Sequence, residues 1–247
     1  MLRKIVILSL LLFTIVVQAE LPKDVVFLML FDQMKGDEVS DLSGHGNNGT
    51  AVGKGKIDKG KYGKAFYFDG KTHISVKNAK PLNALPHPMS VGAWVKPDIL
   101  GGWRNIVEMD GGAGWKFGFH GSKALVWTTY HVKDFISAQP IEEKTWSHVA
   151  ATWDGKQAKI YVNGKEAKGS PIAGGGVINV KAEPSLDIGY RRTSGVSTFQ
   201  GFMDELFVSN KVLKLKEIQT YQDGFNPLLA IDPKAKLTTA WGDIKSY

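Results

Sequence analysis

From Glu20 to about Val208, apolar residues fall in short runs separated by Gly, Asn, Asp or Pro. That is the punctuation of many short strands, and helical periodicity is nearly absent. The runs that read as strands are 25–31, 65–68, 73–76, 89–95, 106–109, 115–119, 124–129, 146–153, 159–162, 186–188 and 201–208. Strands in such number with no helix between them predict an all-β chain, folded as an antiparallel two-sheet sandwich.

Two hairpins follow from local chemistry. In the run from Trp146 to Trp153, Trp146, His148, Ala150 and Thr152 share one face and Ser147, Val149, Ala151 and Trp153 the other; Asp154-Gly155 then turns the chain. The next strand ends in Asn163-Gly164, a strong signal for a two-residue hairpin, so that Lys165, Glu166 and Ala167 pair back on it. Only one segment reads as helix, where Leu213, Lys216, Glu217, Ile218 and Tyr221 recur at helical spacing before Gly224. Residues 225–247 read as an extended C-terminal tail containing Trp241, either a docked anchor or a recognition element for a protein partner.

The N-terminus carries a different signal. Arg3 and Lys4 precede an apolar run from Ile5 to Val17, and Val17-Gln18-Ala19 places small residues where a signal peptidase reads. Residues 1–19 are expected to be a signal peptide for export, the alternative being an uncleaved anchor; no later stretch is long and apolar enough to span a bilayer. Arg3 and Lys4 leave with the leader, so 29 basic residues remain against 24 acidic, a net of +5. The densest basic stretch, Lys54 to Lys64, is interleaved with glycine rather than stacking aromatics, and reads as a solvated loop instead of a nucleic-acid groove. Seven Trp, twelve Phe and 43% hydrophobic residues in 247 supply a core for one domain, residues 20–224. The absence of Cys excludes disulfides, thiol catalysis and Cys-based metal sites.

Several residues together resemble a known family. Asp41-Leu42-Ser43-Gly44-His45-Gly46-Asn47-Asn48-Gly49 follows an early strand, and Phe66-Tyr67-Phe68-Asp69-Gly70 leads into His73-Ile74-Ser75-Val76. Trp94 sits in Ser90-Val91-Gly92-Ala93-Trp94-Val95, the meander from Trp146 to Gly164 follows, and Gly201-Phe202-Met203-Asp204-Glu205-Leu206 comes last. This order is similar to the laminin-G-like, concanavalin A-like jelly-roll domains of secreted bacterial proteins, over about Val25 to Tyr221. The resemblance implies a jelly roll, an architecture that hosts lectins, adhesion modules, carbohydrate-binding modules and glycosidases.

The Asp41 to Gly49 turn concentrates oxygen ligands of the kind a hard cation takes. On strand alternation Asp204 shares a face with Phe202, Leu206 and Val208, while Glu205 points the other way with Met203 and Phe207. A buried Asp204 needs a cation, an Arg or a backbone-amide partner; a solvent-facing acid needs none. The resemblance implies a structural Ca²⁺ between the N-terminal segment and the last strand, carried over to Asp204 with Asp32, Asp41 and Asn47.

Carboxylate pairs for glycoside hydrolysis are sought at i, i+2 or i, i+4 on one strand face. Asp204-Glu205 is adjacent, Glu142-Glu143 lies near Pro140 in an expected loop, and Glu108-Met109-Asp110 runs into Gly111-Gly112 as a strand end and turn. None of the six His residues accompanies a nucleophile motif, and no zinc-protease or nucleotide-binding pattern occurs. A non-catalytic module is therefore expected, with an extracellular glycan or glycoprotein as partner. Sugars need aromatic platforms beside polar side chains. The candidates are Trp103 and Arg104 in a glycine-rich loop, Trp115, Tyr130 at a strand end, and Arg191 after Tyr190; for each Trp the alternative is a place in the core.

Overall fold

The computed structural model describes residues 21–79, 82, 89–109, 113–179, 185–191 and 198–229. The expected leader, Asp110, Arg192 and the tail from residue 230 with Trp241 lie outside them. Residues 21–225 form one compact unit; of the remainder, the described part is the short helix Asn226–Leu229. No helix among the described residues is long and apolar enough to cross a membrane.

In chain order the strands are β1 (Val25–Met29), β2 (Met34–Lys35), β3 (Glu38–Val39), β4 (Gly49–Val52), β5 (Lys56–Lys59) and β6 (Lys64–Asp69). There follow β7 (His73–Val76), β8 (Met89–Pro97), β9 (Arg104–Met109), β10 (Trp115–Phe119), β11 (Ala124–Thr129) and β12 (Lys133–Pro140). The set ends with β13 (Ser147–Trp153), β14 (Gln157–Val162), β15 (Lys165–Glu166), β16 (Ile172–Ala173), β17 (Leu186–Ile188) and β18 (Gln200–Ser209), before α1 (Leu215–Gln222). One antiparallel sheet runs β15-β14-β13-β8-β18-β6-β5, with β1 also on β18 and β16 on β14. The second runs β12-β11-β10-β9-β17-β7-β4-β3-β2. This is the expected jelly-roll sandwich. The first and last strands of the unit, β1 and β18, pair antiparallel.

The inner faces of the two sheets meet in one core. Trp115 stacks on Trp127 at 5.1 Å and 15°, and Trp127 lies 6.5 Å from Trp153 at 24°, so rings from β10, β11 and β13 form a column across the sandwich. Trp115 is fully buried. Its expected role as a ligand platform is thereby corrected: at the start of β10 it faces inward with Phe117. The Asn163-Gly164 turn has the positive φ values (48° and 67°) of a primed hairpin, and β14 pairs with both β13 and β15 as the meander requires.

The outer face of the first sheet is covered by α1 and the residues after it. Trp94 donates from Nε1 to the Gln222 carbonyl at 2.9 Å, and Ser90 Oγ both donates to Lys211 O and accepts from Leu213 N. His148 is sealed beneath this layer against Trp94, and burial holds its imidazole down to about 3.

Candidate functional site

The outer face of the second sheet has no such cover from α1, and its register arranges polar residues in a line. Lys116 on β10 stands opposite Thr128 on β11 and Glu108 on β9. Thr128 stands opposite Asp134, Glu108 opposite Asp187, Asp187 opposite Ser75, and Ser75 opposite Thr50. Neighbours along each strand, such as Trp115 and Phe117 around Lys116 or Val107 and Met109 around Glu108, are core residues. One polar row therefore crosses the sheet from β12 to β4 on the face opposite the core.

Two cavities open on this face. One, of about 330 Å³, is lined by Trp103, Lys116, Thr128, Tyr130, Asp134 and Arg191 among others. The second, of about 400 Å³, is lined by Thr50, His73, Ser75, Asp187 and Tyr190 among others. The consecutive residues Tyr190 and Arg191 thus serve one cavity each, and Tyr190 stacks on His73 at 4.4 Å and 15°. Gly189 sets this segment: its φ is +76°, its N–H donates to Ile106 O, and an added Cβ would lie 2.5 Å from the Phe68 ring.

Within the first cavity, Lys116 Nζ lies 4.1 Å from the centre of the Trp103 ring and 5.7 Å from that of Tyr130. The Arg191 guanidinium stands 5.9 Å from the Tyr130 ring. Trp103 meets His120 edge-on at 4.8 Å, which fixes its half-buried ring. The Tyr130 hydroxyl donates to Glu108 Oε1, while Asn105 Nδ2 donates to Glu108 Oε2 at 3.1 Å. Burial pushes the Glu108 carboxyl up against the opposing pull of the Tyr130 hydrogen bond, and burial pushes the Lys116 ammonium down.

Three of the five residues expected to bind ligand, Trp103, Tyr130 and Arg191, come together here. Trp115 does not, being in the core. Arg104 is outside the cavity lining: its Nη1 donates to Thr198 O at 3.0 Å, so it ties β9 to the segment before β18. Sequence reasoning missed Lys116 and Asp187, and set Glu108 aside as part of a strand end and turn. Lys116 and Asp187 are each the lone charged side chain of an otherwise apolar strand, and Glu108 is the one acid of β9, set between core residues.

The four residues expected to hold a metal divide into two places. Asp41 Oδ1 accepts from Leu28 N and Ser43 N, and its Oδ2 from Asn47 N, at 3.0 Å each. Both its oxygens are committed to shaping the 41–48 loop, which corrects the expectation that Asp41 and Asn47 converge on Asp204. Asp204 and Asp32 lie instead beside the 60–64 loop. Asp204 Oδ2 accepts from Lys61 N and Tyr62 N at 2.9 Å each, and Asp32 Oδ1 from Lys64 N at 2.8 Å. The lysine- and glycine-rich loop is thus an organiser of acids. Strand alternation also fails here: Glu205 has φ +52° in a bulge between Asp204 and Phe207, which puts Met203, Leu206 and Val208 all in the core.

Burial pushes the Asp204 carboxyl up to about 8, with the Tyr62 amide pulling down and neighbouring Glu205 and Asp32 adding to the rise. Burial likewise takes Glu205, which accepts from Phe225 N, to about 7. Asp204 Oδ1 is buried with no hydrogen-bond partner. That orphaned oxygen, with Asp32 close by, fits a cation; yet among the described residues no three carboxylate or imidazole groups gather as a metal-holding set.

Comparison with known proteins accords with the fold. A laminin G family described as the concanavalin A-like lectin/glucanases superfamily matches residues 68–219, and the chain belongs to that superfamily. No curated protein matches the sequence significantly. Domain 4 of AbnA, a GH43 extracellular arabinanase from Geobacillus stearothermophilus solved with arabinotriose, aligns with a TM-score of 0.65 at 21% identity, over 80% of this chain and 97% of that one. The binding domain of Paraclostridial Mosquitocidal Protein 1 aligns at 0.61 and 18% identity, over 80% of this chain and 51% of that one. Trypanosoma rangeli sialidase, solved with sialic acid, aligns at 0.59 and 17%, over 80% of this chain and 32% of that one. At these identities the likeness is one of fold, and it spans binding domains and enzymes alike.

Proposed function

We propose that this protein is an extracellular, non-catalytic module that binds carbohydrate on the polar face of its second sheet, in the cavity beneath Trp103 and Tyr130. The observation that carries this reading is the placement of two aromatic rings beside a continuous row of hydroxyl, carboxylate and ammonium groups. Sugar rings offer apolar C–H faces and hydroxyl edges, and this surface has a counterpart for each. The leader-like residues 1–19 and the extracellular arabinanase domain of like fold support export.

The non-catalytic part rests on Glu108. It faces Asp187 across β9 and β17, which makes a cross-strand acid pair. A general acid must present an oxygen to the glycosidic bond. Both Glu108 oxygens are instead engaged by Tyr130 and Asn105, and the residue is fully buried. Glu108 orients the cavity wall.

Screening the full chain on a glycan array tests the proposal. The expected result is binding to a defined set of glycans that Trp103→Ala abolishes while the thermal unfolding midpoint stays within a few degrees. Equal binding by the Trp103→Ala variant refutes it. Release of sugar from a bound polysaccharide, lost on Glu108→Gln, refutes the non-catalytic part.

The same reading includes a structural Ca²⁺, supported by the orphaned Asp204 oxygen and by the excess of buried acid around it. Asp204 and Asp32 would hold the ion. Bound there, Ca²⁺ supplies positive charge between β1, the loop and β18, and stabilises the fold without touching the glycan face.

A further inference from the structure

The first cavity contains more than a sugar platform. Lys116 is 4% exposed, and among the described residues its ammonium makes no hydrogen bond or ion pair; its close neighbours are the ring faces of Trp103 and Tyr130. Ring faces attract a cation's charge but leave its N–H donors without lone-pair acceptors. Arg191 lines the same cavity and sits over the same Tyr130 ring, whose side chain it also hydrogen-bonds, while its Nε is buried without a partner. A buried donor of a charged group is ordinarily satisfied, so the orphaned Arg191 Nε, beside an ammonium that faces only aromatic rings, marks an absent acceptor.

The charges present do not supply it. Asp134 accepts from Thr128 Oγ1, and Glu108 is held by Tyr130 and Asn105. Both act on Lys116 through space, and neither forms an ion pair with it. The lining carries Lys116, Lys133 and Arg191 against the single carboxylate of Asp134. Lys133 Nζ is turned to the Ala173 carbonyl. Lys116 and Arg191 remain, and they repel one another until an anion enters between them.

We infer that the glycan recognised here bears an anionic substituent, the carboxylate of a uronic or sialic acid or a sulfate ester, and that Lys116 and Arg191 receive it while its sugar ring lies against Trp103. A cavity of about 330 Å³ is at the small end for ligand sites and suits one terminal or branching sugar. The guanidinium fork supplies paired donors to the anion and the Lys116 ammonium a charge from below. This inference rests on the glycan-binding reading, and its test separates the two.

The full chain is titrated calorimetrically with matched pairs: 3′-sialyllactose and lactose, trigalacturonic acid and its methyl ester, and 6-sulfated against unsulfated lactose. At least one acidic member is expected to bind ten-fold or more tightly than its neutral partner, and the pair that shows the gap identifies carboxylate or sulfate. Lys116→Met, which keeps the apolar stem, and Arg191→Gln, at the half-buried rim, are each expected to remove most of that gap. Trp103→Ala weakens both members of the pair. Equal affinity within every pair, or a gap untouched by both charge variants, overturns the anionic inference and leaves glycan binding standing. No binding to any member, together with a blank glycan array, overturns both. Should Lys116→Met fail to fold, as judged by its thermal transition, Arg191→Gln carries the test alone.

Discussion

The buried acid pair on β18 makes the stability of this protein depend on pH and on cations in a way that can be worked out. With the Asp204 carboxyl at about 8 when folded, against an ordinary 3.8, the native state holds that proton more tightly than the unfolded chain does. The resulting stabilisation is complete below about pH 4 and is lost as pH rises through about 8. Each pKa unit is worth about 1.4 kcal/mol, so between about pH 4 and pH 8 the cation-free protein loses about 5 kcal/mol at this group. Glu205, at about 7, adds in the same direction. Buried His148, held at about 3, acts oppositely: its contribution is present above about pH 6.5 and falls away as pH drops towards 3. The quantity to follow is therefore the difference between wild type and Asp204→Asn, from which His148 cancels. The asparagine keeps an oxygen for the Lys61 and Tyr62 amides but carries no charge. In EDTA, the variant should match wild type near pH 4 and exceed its unfolding midpoint near pH 8 by about 10–20 °C for a domain of this size. With millimolar Ca²⁺ at pH 8 the order should reverse, since the ion stabilises only the carboxylate. A constant difference between the two proteins across pH 4–8 in EDTA would refute the argument, and an unchanged wild-type midpoint on adding Ca²⁺ would refute the ion.

Three further substitutions follow from the geometry. Gly189→Ala places a Cβ at φ +76° and 2.5 Å from Phe68; we expect a loss of about 2–3 kcal/mol in urea unfolding together with loss of glycan binding, because Tyr190 and Arg191 shift with it. Trp127→Ala removes the central ring of the core column and should cost about 4 kcal/mol, read in the same assay. Tyr130→Phe leaves the ring over which Arg191 sits but deprives Glu108 of its hydroxyl donor; a stability loss of about 2 kcal/mol with a weakened glycan response is expected, and normal binding would show that Glu108 does not set the cavity wall.

The architecture was legible because strand length and turn chemistry are local. The runs 73–76, 115–119, 124–129 and 186–188 have the same bounds in the structure as in the sequence pattern, and Asn163-Gly164 turns the chain as its composition dictates. The strands that pattern reasoning passed over have local reasons to be invisible. β2, β3 and β16 are two residues each, and β4, β5 and β12 carry too few apolar residues to stand out from loops. The phase of β18 was lost for a different cause. A non-glycine residue at positive φ, Glu205, inserts a bulge, and nothing in Asp204-Glu205-Leu206 announces it. The bulge falls where β6 stops pairing with β18 at Met203 and β1 begins at Leu206, so its cause is the arrival of two different partners on one edge.

The candidate site shows the same limit from the other side. Trp103, Tyr130 and Arg191 are visible one at a time as exposed or loop-borne residues, whereas Lys116, Glu108 and Asp187 gain meaning only from register. In Trp-Lys-Phe-Gly-Phe and Leu-Asp-Ile the charged residue is the single polar position of a buried strand, and in Arg-Asn-Ile-Val-Glu-Met Glu108 is the one acid, set between the core residues Val107 and Met109. A search for acids at i and i+2 along one strand cannot find Glu108 and Asp187, because their proximity comes from the pairing of β9 with β17. The periodicity nevertheless contains half of the answer. A charge inside a run of core residues at period two must face away from the core, and a sandwich has only two outer faces. Here α1 lies over the first, so Glu108, Lys116 and Asp187 had to lie together on the second, and a surface that gathers such side chains is there to meet a polar ligand.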